Sequence, residues 1–387
     1  MTAAGKFRAR QAWTVARIEL RRAFFSKRAF WVYLLALFPA LVFFAHGMEL
    51  KAKQARWSSR GLASPALIDA ITIGQNEAEV LKQIGTTPKV TDFSWNVRPP
   101  RPPRPPRPSA EGGAAENEAP EARREAQRKP VRHRFIRLFD GERIASLRFE
   151  DQVLKQKSIG PFKNLEEDRA IFAGIFQYFY LRLAIFFGCL GIFMNLFRGE
   201  MLDKTLHFWF LAPARREVLL AGKYAAGLAA ASAIFAGGAL LCFWVMLWPH
   251  DAAQVQSYWQ GPGAGHAFWY AVAAVLGCVG YGSVFLAAGL LLRNPIVPAA
   301  VLLLWESINP FLPALLQRLS VLYYLQSLCP VPAPMDKDAP AVLRLLLSPA
   351  APASAPGAIL GLLVVTGLVL WVASRAVRRL EISYGAE

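Results

Sequence analysis

The chain is short of acid, cysteine and histidine. Asp and Glu number 27 against 44 Lys and Arg, a formal charge of +17 over 387 residues. Such an excess leaves two classes of anionic partner, nucleic acid or a membrane face. There are only four cysteines. Cys189, Cys242 and Cys278 sit in apolar runs, where a small buried hydrophobe is the simple role, and Cys329 stands alone. This pattern offers no disulfide framework and no zinc spacing. The five histidines are scattered, none beside a second ligand in sequence. No Walker-type phosphate loop occurs, since Gly222-Lys223 lacks the earlier glycine at the required spacing. No Ser/His/Asp arrangement is suggested either. The chain therefore reads as a non-enzyme that holds no cofactor or metal, and any ATP it uses must be bound elsewhere.

What is abundant is apolar residue, 54% of the chain. It is gathered into runs of the ~20 residues that a spanning helix needs. Six can be read: Phe30 to Gly47, Tyr178 to Phe197, Ala226 to Trp248, Ala267 to Leu292, Ile296 to Leu316 and Gly357 to Ser374. The basic residues lie beside these runs, so the charge points to membrane lipid and not to nucleic acid.

Orientation follows from the same residues. Lys6, Arg8, Arg10, Arg17, Arg21, Arg22, Lys27 and Arg28 precede the first run. Arg198, Lys204, Arg215 and Arg216 follow the second, Arg293 the fourth, and Arg375, Arg378 and Arg379 the sixth. The loop from Pro249 to His266 has neither Lys nor Arg. The positive-inside rule then places both termini in the cytoplasm, as an even number of spans also requires. Ala45-His46-Gly47 faintly resembles a cleavage site, but the long basic segment before it favours a retained anchor.

The expected organisation is an interfacial helix in 1–29, a first span in 30–47, an external segment in 48–170, five further spans in 171–376 and a tail in 377–387. Within the external segment, Ser64-Pro65 reads as a helix start and Asn76 with Glu79 as a capping box. Arg132 to Glu150 reads as a hairpin turning at Asp140-Gly141. A small α+β module follows. It is interrupted by RPPRPPRPPRP, Arg98 to Pro108, whose arginines share one edge of a polyproline helix. That segment is either a basic ruler or a stiff spacer. Residues 109–129 are polar enough to be disordered.

The stretch GEMLDKTLHFWFLAPARREVLLAGKY, Gly199 to Tyr224, is charge-mixed and lies between two long apolar runs. Its aromatic residues suit a membrane surface and its charges suit water. Near the N-terminus, Trp13, Ile18 and Phe25 can rest on lipid while Arg17, Arg21 and Arg22 meet phosphates. The plainer reading is charge that sets topology.

Two intramembrane charges stand out. Arg182 lies close enough to the end of its run to snorkel. Glu306 lies ten residues into the fifth run, where a carboxyl costs about 3 kcal/mol and should face protein or a cavity. Asn309, Pro310 and Pro313 follow it, and broken helix at that depth needs protein or water around it. A re-entrant hairpin between spans five and six is expected, with Glu306, Asn309 and Arg182 as polar or path-lining candidates. The small residues Gly227, Ala231, Gly237 and Gly238, and Gly280 to Ser283, read as helix-packing positions.

With these features on the page, the chain resembles the membrane subunits of type-2 ABC exporters. ARIELRRAFFSKRAFW resembles their elbow helix, and Gly199 to Tyr224 their coupling segment, with Glu200, Thr205-Leu206, Pro213, Arg216-Glu217 and Lys223. The long segment 48–170 departs from compact members of that family. The resemblance implies an α-helical integral membrane permease of six spans in the bacterial inner membrane. It implies a separate ATPase carrying ATP and Mg, and a second permease copy, most simply a homodimer. It also makes Glu200, Asp203, Lys204, Thr205, Arg215, Arg216 and Glu217 an exposed contact set for the ATPase. Two other readings stand beside it: an ion-coupled secondary transporter using Arg182 and Glu306, and a non-transporting anchor for the external module.

Overall fold

The structure is a computed structural model. It describes residues 3–25, 29–59, 61–85, 91–97, 131–202, 205, 209, 211, 215–292, 294, 296–332 and 352–378. The proline-arginine segment, 109–129, Asp203, Lys204 and the tail beyond Arg378 lie outside these. The chain divides into two units, one of residues 1–47 and 165–387 and one of residues 48–164.

The first unit is helical. It begins with α1 (Ala3–Phe25) and α2 (Ala29–Ser58), whose later part belongs in sequence to the second unit. It resumes with α5 (Leu165–Ile175), which runs through a π-helical stretch, Phe176–Ala184, into α6 (Ile185–Leu202). Next is α7 (Arg216–Leu247). Then α8 (Ala252–Tyr258) passes a kink at Gly261 into α9 (Ala264–Leu291). After α10 (Ile296–Ile308) the helix breaks into a 3-10 turn, Asn309–Phe311. The fold ends with α11 (Ala314–Gln317), α12 (Val321–Ser327) and α13 (Ala355–Arg378).

Among the described residues, five helical stretches are long and apolar enough to cross a membrane: Ala29–Ser58, Leu165–Met201, Arg216–Leu247, Ala252–Leu291 and Ala355–Arg378. This is an α-helical membrane protein. The expected fifth span, Ile296 to Leu316, is not one helix: Val297–Ile308 is apolar but short, and Pro310 and Pro313 follow the break. The second span is longer than expected, because α5 already belongs to this unit and carries the helix back to Leu165.

Glycines set the close approaches. A Cβ at Gly222 of α7 would meet the Ala12 carbonyl oxygen at 2.8 Å and Val15 Cβ at 2.9 Å. That contact seats α1 on α7. At Gly280 a Cβ would meet Val321 at 2.7 Å, which seats α12 on α9. Small residues let helices pack this closely where lipid supplies no hydrophobic drive between them.

The second unit has two layers. Its sheet is an antiparallel meander, β1 (Thr91–Val97), β2 (Val131–Phe139), β3 (Arg143–Glu150) and β4 (Val153–Pro161), in sequence order. One face buries Ile136, Leu138, Ala145, Leu147, Phe149 and Leu154. Ile68 of α3 (Pro65–Ala70) and Val80 and Ile84 of α4 (Glu77–Ile84) pack on it. Alternate residues of β3 are buried, the period-2 pattern of a half-covered strand. Trp57, Phe139 and Phe162 form a second aromatic group, with ring centroids 5.2 to 5.7 Å apart.

The hairpin expected at Asp140-Gly141 is present, with Gly141 at φ 108°. Asp140 closes it. Its Oδ1 accepts from the backbone N–H of Glu142 at 3.0 Å and of Arg143 at 2.6 Å, and its Oδ2 from Arg143 Nε at 2.8 Å. The capping box at Asn76 is absent: Asn76 is the N-cap, but its side chain makes no cap hydrogen bond. Ser64 likewise caps α3 by position only, ahead of Pro65.

Candidate functional site

The first helix is one-sided. Val15, Ala16 and Glu19 are buried, while Trp13, Arg17 and Ile18 are exposed. Positions 12, 15, 16 and 19 form one helical face by their 3–4 spacing, and it is the face that Gly222 admits. Glu19 is therefore carried inward, onto Lys223 of α7.

Lys223 is the centre of the site. It is completely buried, and its Nζ lies 2.5 Å from Glu19 Oε1 and 2.8 Å from Glu200 Oε1. Trp209 Nε1 donates to the same Glu200 oxygen at 2.9 Å. The ammonium also stands 5.1 Å from the Trp209 ring centroid and 5.4 Å from that of Phe197. Glu19 comes from α1, Glu200 from α6, Trp209 from the segment between the two long helices, and Lys223 from α7. One cation thus ties four parts of the chain at one point. A buried charge survives only when paired and hydrogen-bonded, and here two carboxylates and two aromatic faces surround it. These contacts form a clasp between α1, α6 and α7.

This places Glu200 differently from the expectation. Glu200 is buried and ion-paired, not on an exposed contact face, because the apolar helix that carries it continues to Leu202. Its carbonyl oxygen accepts from Thr205 N–H at 2.9 Å, which closes the end of α6 and leaves Thr205 half-buried. Arg216 donates to the carbonyl oxygen of Arg378 at 3.1 Å, and Glu217 pairs with the Arg378 side chain. Both are held by the end of α13. Arg215 is exposed, and so is Leu211, at 78%. Asp203 and Lys204 lie outside the described residues.

The second cluster surrounds Glu306, which is fully buried. Its carboxylate accepts from the Ser320 hydroxyl and, at 3.1 Å, from the Val321 N–H. Ser320 caps α12, its hydroxyl accepting from Tyr323 N–H at 3.1 Å. Glu306 therefore supports the helix start that follows the break. Asn309 is also buried and reaches the Gln317 carbonyl at 3.4 Å, while Gln317 reaches the Leu312 carbonyl at 2.8 Å. These bonds meet the needs of backbone freed by the two prolines. Arg182 sits half-buried in the π-helical stretch with its Nε buried and unpartnered, and its charge acts on Glu306 and on Tyr281. The structure thus brings together two of the residues singled out in sequence, from α10 and from the helix before α6.

Among the described residues, no group of three His, Cys, Asp or Glu could hold a metal. No family model, curated protein or solved structure matches this chain.

Proposed function

We propose that the chain is the permease subunit of an ATP-driven exporter, working with a separate ATPase and a second permease copy. The clasp at Lys223 is the observation that carries this reading. A partner pressing on residues 203–215 acts on a segment whose two ends are fixed to buried charge. Glu200 and Trp209 hold it to α6, Lys223 to α7, and Glu19 to α1. Displacement of that segment is therefore passed to three helices and is not lost in a loop. Among the described residues of this segment, Leu211 and Arg215 are exposed and free to meet the partner. In this reading the clasp faces the cytoplasm and residues 48–164 lie outside, as the asymmetry of Lys and Arg requires.

The ion-coupled reading has Arg182 near Glu306 in its favour. The Glu306 carboxylate, however, is occupied in supporting α12.

The test is capture of the ATPase. Changing Leu211→Asp together with Arg215→Glu is expected to reduce co-purified ATPase per permease at least about tenfold, as loss of interface anchors does. Permease yield in the membrane is expected to hold, because both residues are exposed. Full capture with full substrate-stimulated hydrolysis would remove the basis of the proposal.

A further inference from the structure

Two histidines and one aspartate meet where α2, α5 and the end of α7 come together, apart from the clusters at Lys223 and Glu306. Asp168 lies in the first turn of α5, and its side chain is 10% exposed. Its Oδ2 accepts from Nε2–H of His250, which stands just past α7, at 2.9 Å. His46 of α2 presents its Nε2 to the other oxygen, Oδ1, at 3.7 Å. Packing seats this part of α2. Phe44 stacks on Trp248 with ring centroids 5.5 Å apart, and Phe43 lies 5.9 Å from Phe172 of α5. A Cβ at Gly47 would meet the Trp248 ring at 3.3 Å.

The two histidines stand differently toward the acid. The His250 ring is fully covered, and its Nδ1 has no hydrogen-bond partner among the described residues. A carboxylate accepts only from a ring N–H, so Nε2 carries the proton. A second proton, on Nδ1, would leave a buried donor unsatisfied. His250 is therefore a donor to Asp168 and not its counter-charge. His46 is 43% exposed, so water reaches it. Its nitrogen is too far from Oδ1 for a hydrogen bond, yet within ion-pair range once the imidazole is charged. Among the described residues, no Lys or Arg pairs with Asp168. Arg169, the next residue, is engaged with Tyr258, 4.8 Å from the ring centroid. From α8 and α9, Tyr258, His266 and Tyr270 pack around Arg169 and Phe172. The remaining charged groups are acids, Glu166 and Glu167 on α5 and Asp251 after His250, and on α2 the pair Glu49 and Lys53. A buried carboxylate without a cation is costly, and His46 is the group placed to supply one.

We propose that His46 and Asp168 form a proton-operated latch between α2 and α5: a proton on His46 closes it, and loss of that proton opens it. The sign follows from the groups. Charged His46 gives the covered carboxylate a cation, and neutral His46 gives it none. The latch is closed on the acid side of the range of about pH 5 to 8 in which histidine changes charge, and open on the alkaline side. His250 holds the carboxylate in place in both states. The second unit begins at Met48, two residues after His46, so the latch fixes the last turn of α2 before the chain enters that unit. The latch stands on this local geometry alone. That the proton comes from outside the cell rests on the topology of the permease reading.

The test uses the full chain in phosphatidylcholine nanodiscs, without an ATPase, on the two sides of the histidine range at about pH 5.5 and about pH 8. Hydrogen exchange of amides 43–47 is expressed as protection factors, which removes the intrinsic effect of pH on exchange, with α9 as the reference. In the wild type this protection is expected to be about fivefold higher on the acid side, the upper range for a pair with one member in solvent. His46→Gln should abolish the step, losing about fivefold at the acid pH and less than about twofold at the alkaline one. His46→Arg carries its charge at both values and should hold the acid-side protection throughout. Asp168→Asn keeps an acceptor for His250 but no charge, and should also remove the step. Glu49→Gln should leave it in place.

A step that survives in His46→Gln would overturn the proposal and assign the response to another group, His250 or His266. Loss of the step in Glu49→Gln would overturn it too, because Glu49 would then be the partner. So would an equal loss of protection at both pH values in His46→Gln, which would mark a packing contact. If Asp168→Asn fails to fold, the two His46 variants decide alone, since that side chain is partly in solvent. Because the ATPase is absent, failure of the latch and loss of ATPase capture are separate results.

Discussion

Two ion-paired groups, one in each unit, differ in how far they are taken out of water. In the helical unit, Lys223, Glu19 and Glu200 are taken out of water together, and the clasp has no margin for a missing member. In the sheet unit, the ion pair between Asp140 and Arg143 closes a turn, with the arginine partly in solvent and the Asp140 side chain covered. The pairs have similar lengths, 2.5 and 2.8 Å in the clasp and 2.8 Å in the turn. Their consequences should differ several-fold, because the cost of losing a partner depends on how much water can replace it. Removing one member of a buried pair strands a desolvated charge, at about 3–5 kcal/mol. A pair with one member in solvent loses less, because water can take the place of the missing partner.

The sharpest way to break this contrast is Lys223→Met. Glu19 and Glu200 would then face each other, buried and without their cation. We expect a loss near the upper end of the buried range, read as a fall in thermal unfolding midpoint and in yield from the membrane. The triple change Glu19→Gln, Glu200→Gln, Lys223→Met should cost less than Lys223→Met alone, since a neutral buried group is cheaper than an unpaired charge. If the single and triple variants unfold alike, the clasp is not electrostatic and packing of α1 on α7 carries the contact.

A smaller effect is expected at Asp140. Burial, the largest single influence, pushes its carboxyl upward. The N–H groups of Arg143 and Glu142 and then the Arg143 guanidinium outweigh this and hold it below the usual carboxylate range. The sign follows from the lowered value. The contribution is complete above the unfolded carboxyl's pKa of about 3.9, and it is lost as pH falls through the folded value. Asp140→Asn should lower hydrogen-exchange protection of 131–161 at pH 7 by no more than about 1 kcal/mol. The gap between variant and wild type should close as the medium is acidified through the lowered folded value. A gap that widened on acidification would contradict the assigned partners.

The apolar runs and their period were legible because a membrane helix has to be apolar along its whole length. The hairpin at Asp140-Gly141 was legible because glycine at positive φ marks such a turn. Three features were hidden for physical reasons. The turn joining β3 and β4 uses Asp151 and Gln152, at φ 48° and 68°, and Gln is not a residue that announces a left-handed backbone. The break after Glu306 was foreseen from the prolines, whereas the bonds from Ser320 and Val321 depend on residues fourteen and fifteen positions later. Glu200 misled most. A carboxylate beside an apolar run reads as surface charge unless its partners are known, and these stand on α1 and α7. The available signal was Glu19, an acid on the same helical face as Ala12, Val15 and Ala16.

The smallest effect is expected where the sheet unit carries its longest insertion. Val97, the last residue of β1, pairs directly with Val131, the first of β2. Residues 98–130, including the proline-arginine segment, therefore leave and re-enter the sheet at adjacent positions, as a hairpin loop does. A two-residue Asn-Gly turn can join strands whose ends meet this way. Closure entropy also favours the change, since joining two strand ends through more residues costs more than through two. Replacing 98–130 by Asn-Gly should leave the protection of β2 to β4 unchanged within about 0.5 kcal/mol, and ATPase capture intact. Loss of protection in β2 would mean that the insertion supports the sheet. Loss of capture with the sheet intact would mean that the segment acts beyond its own unit, and the contrast between the buried clasp and a tolerant insertion would fail at its tolerant end.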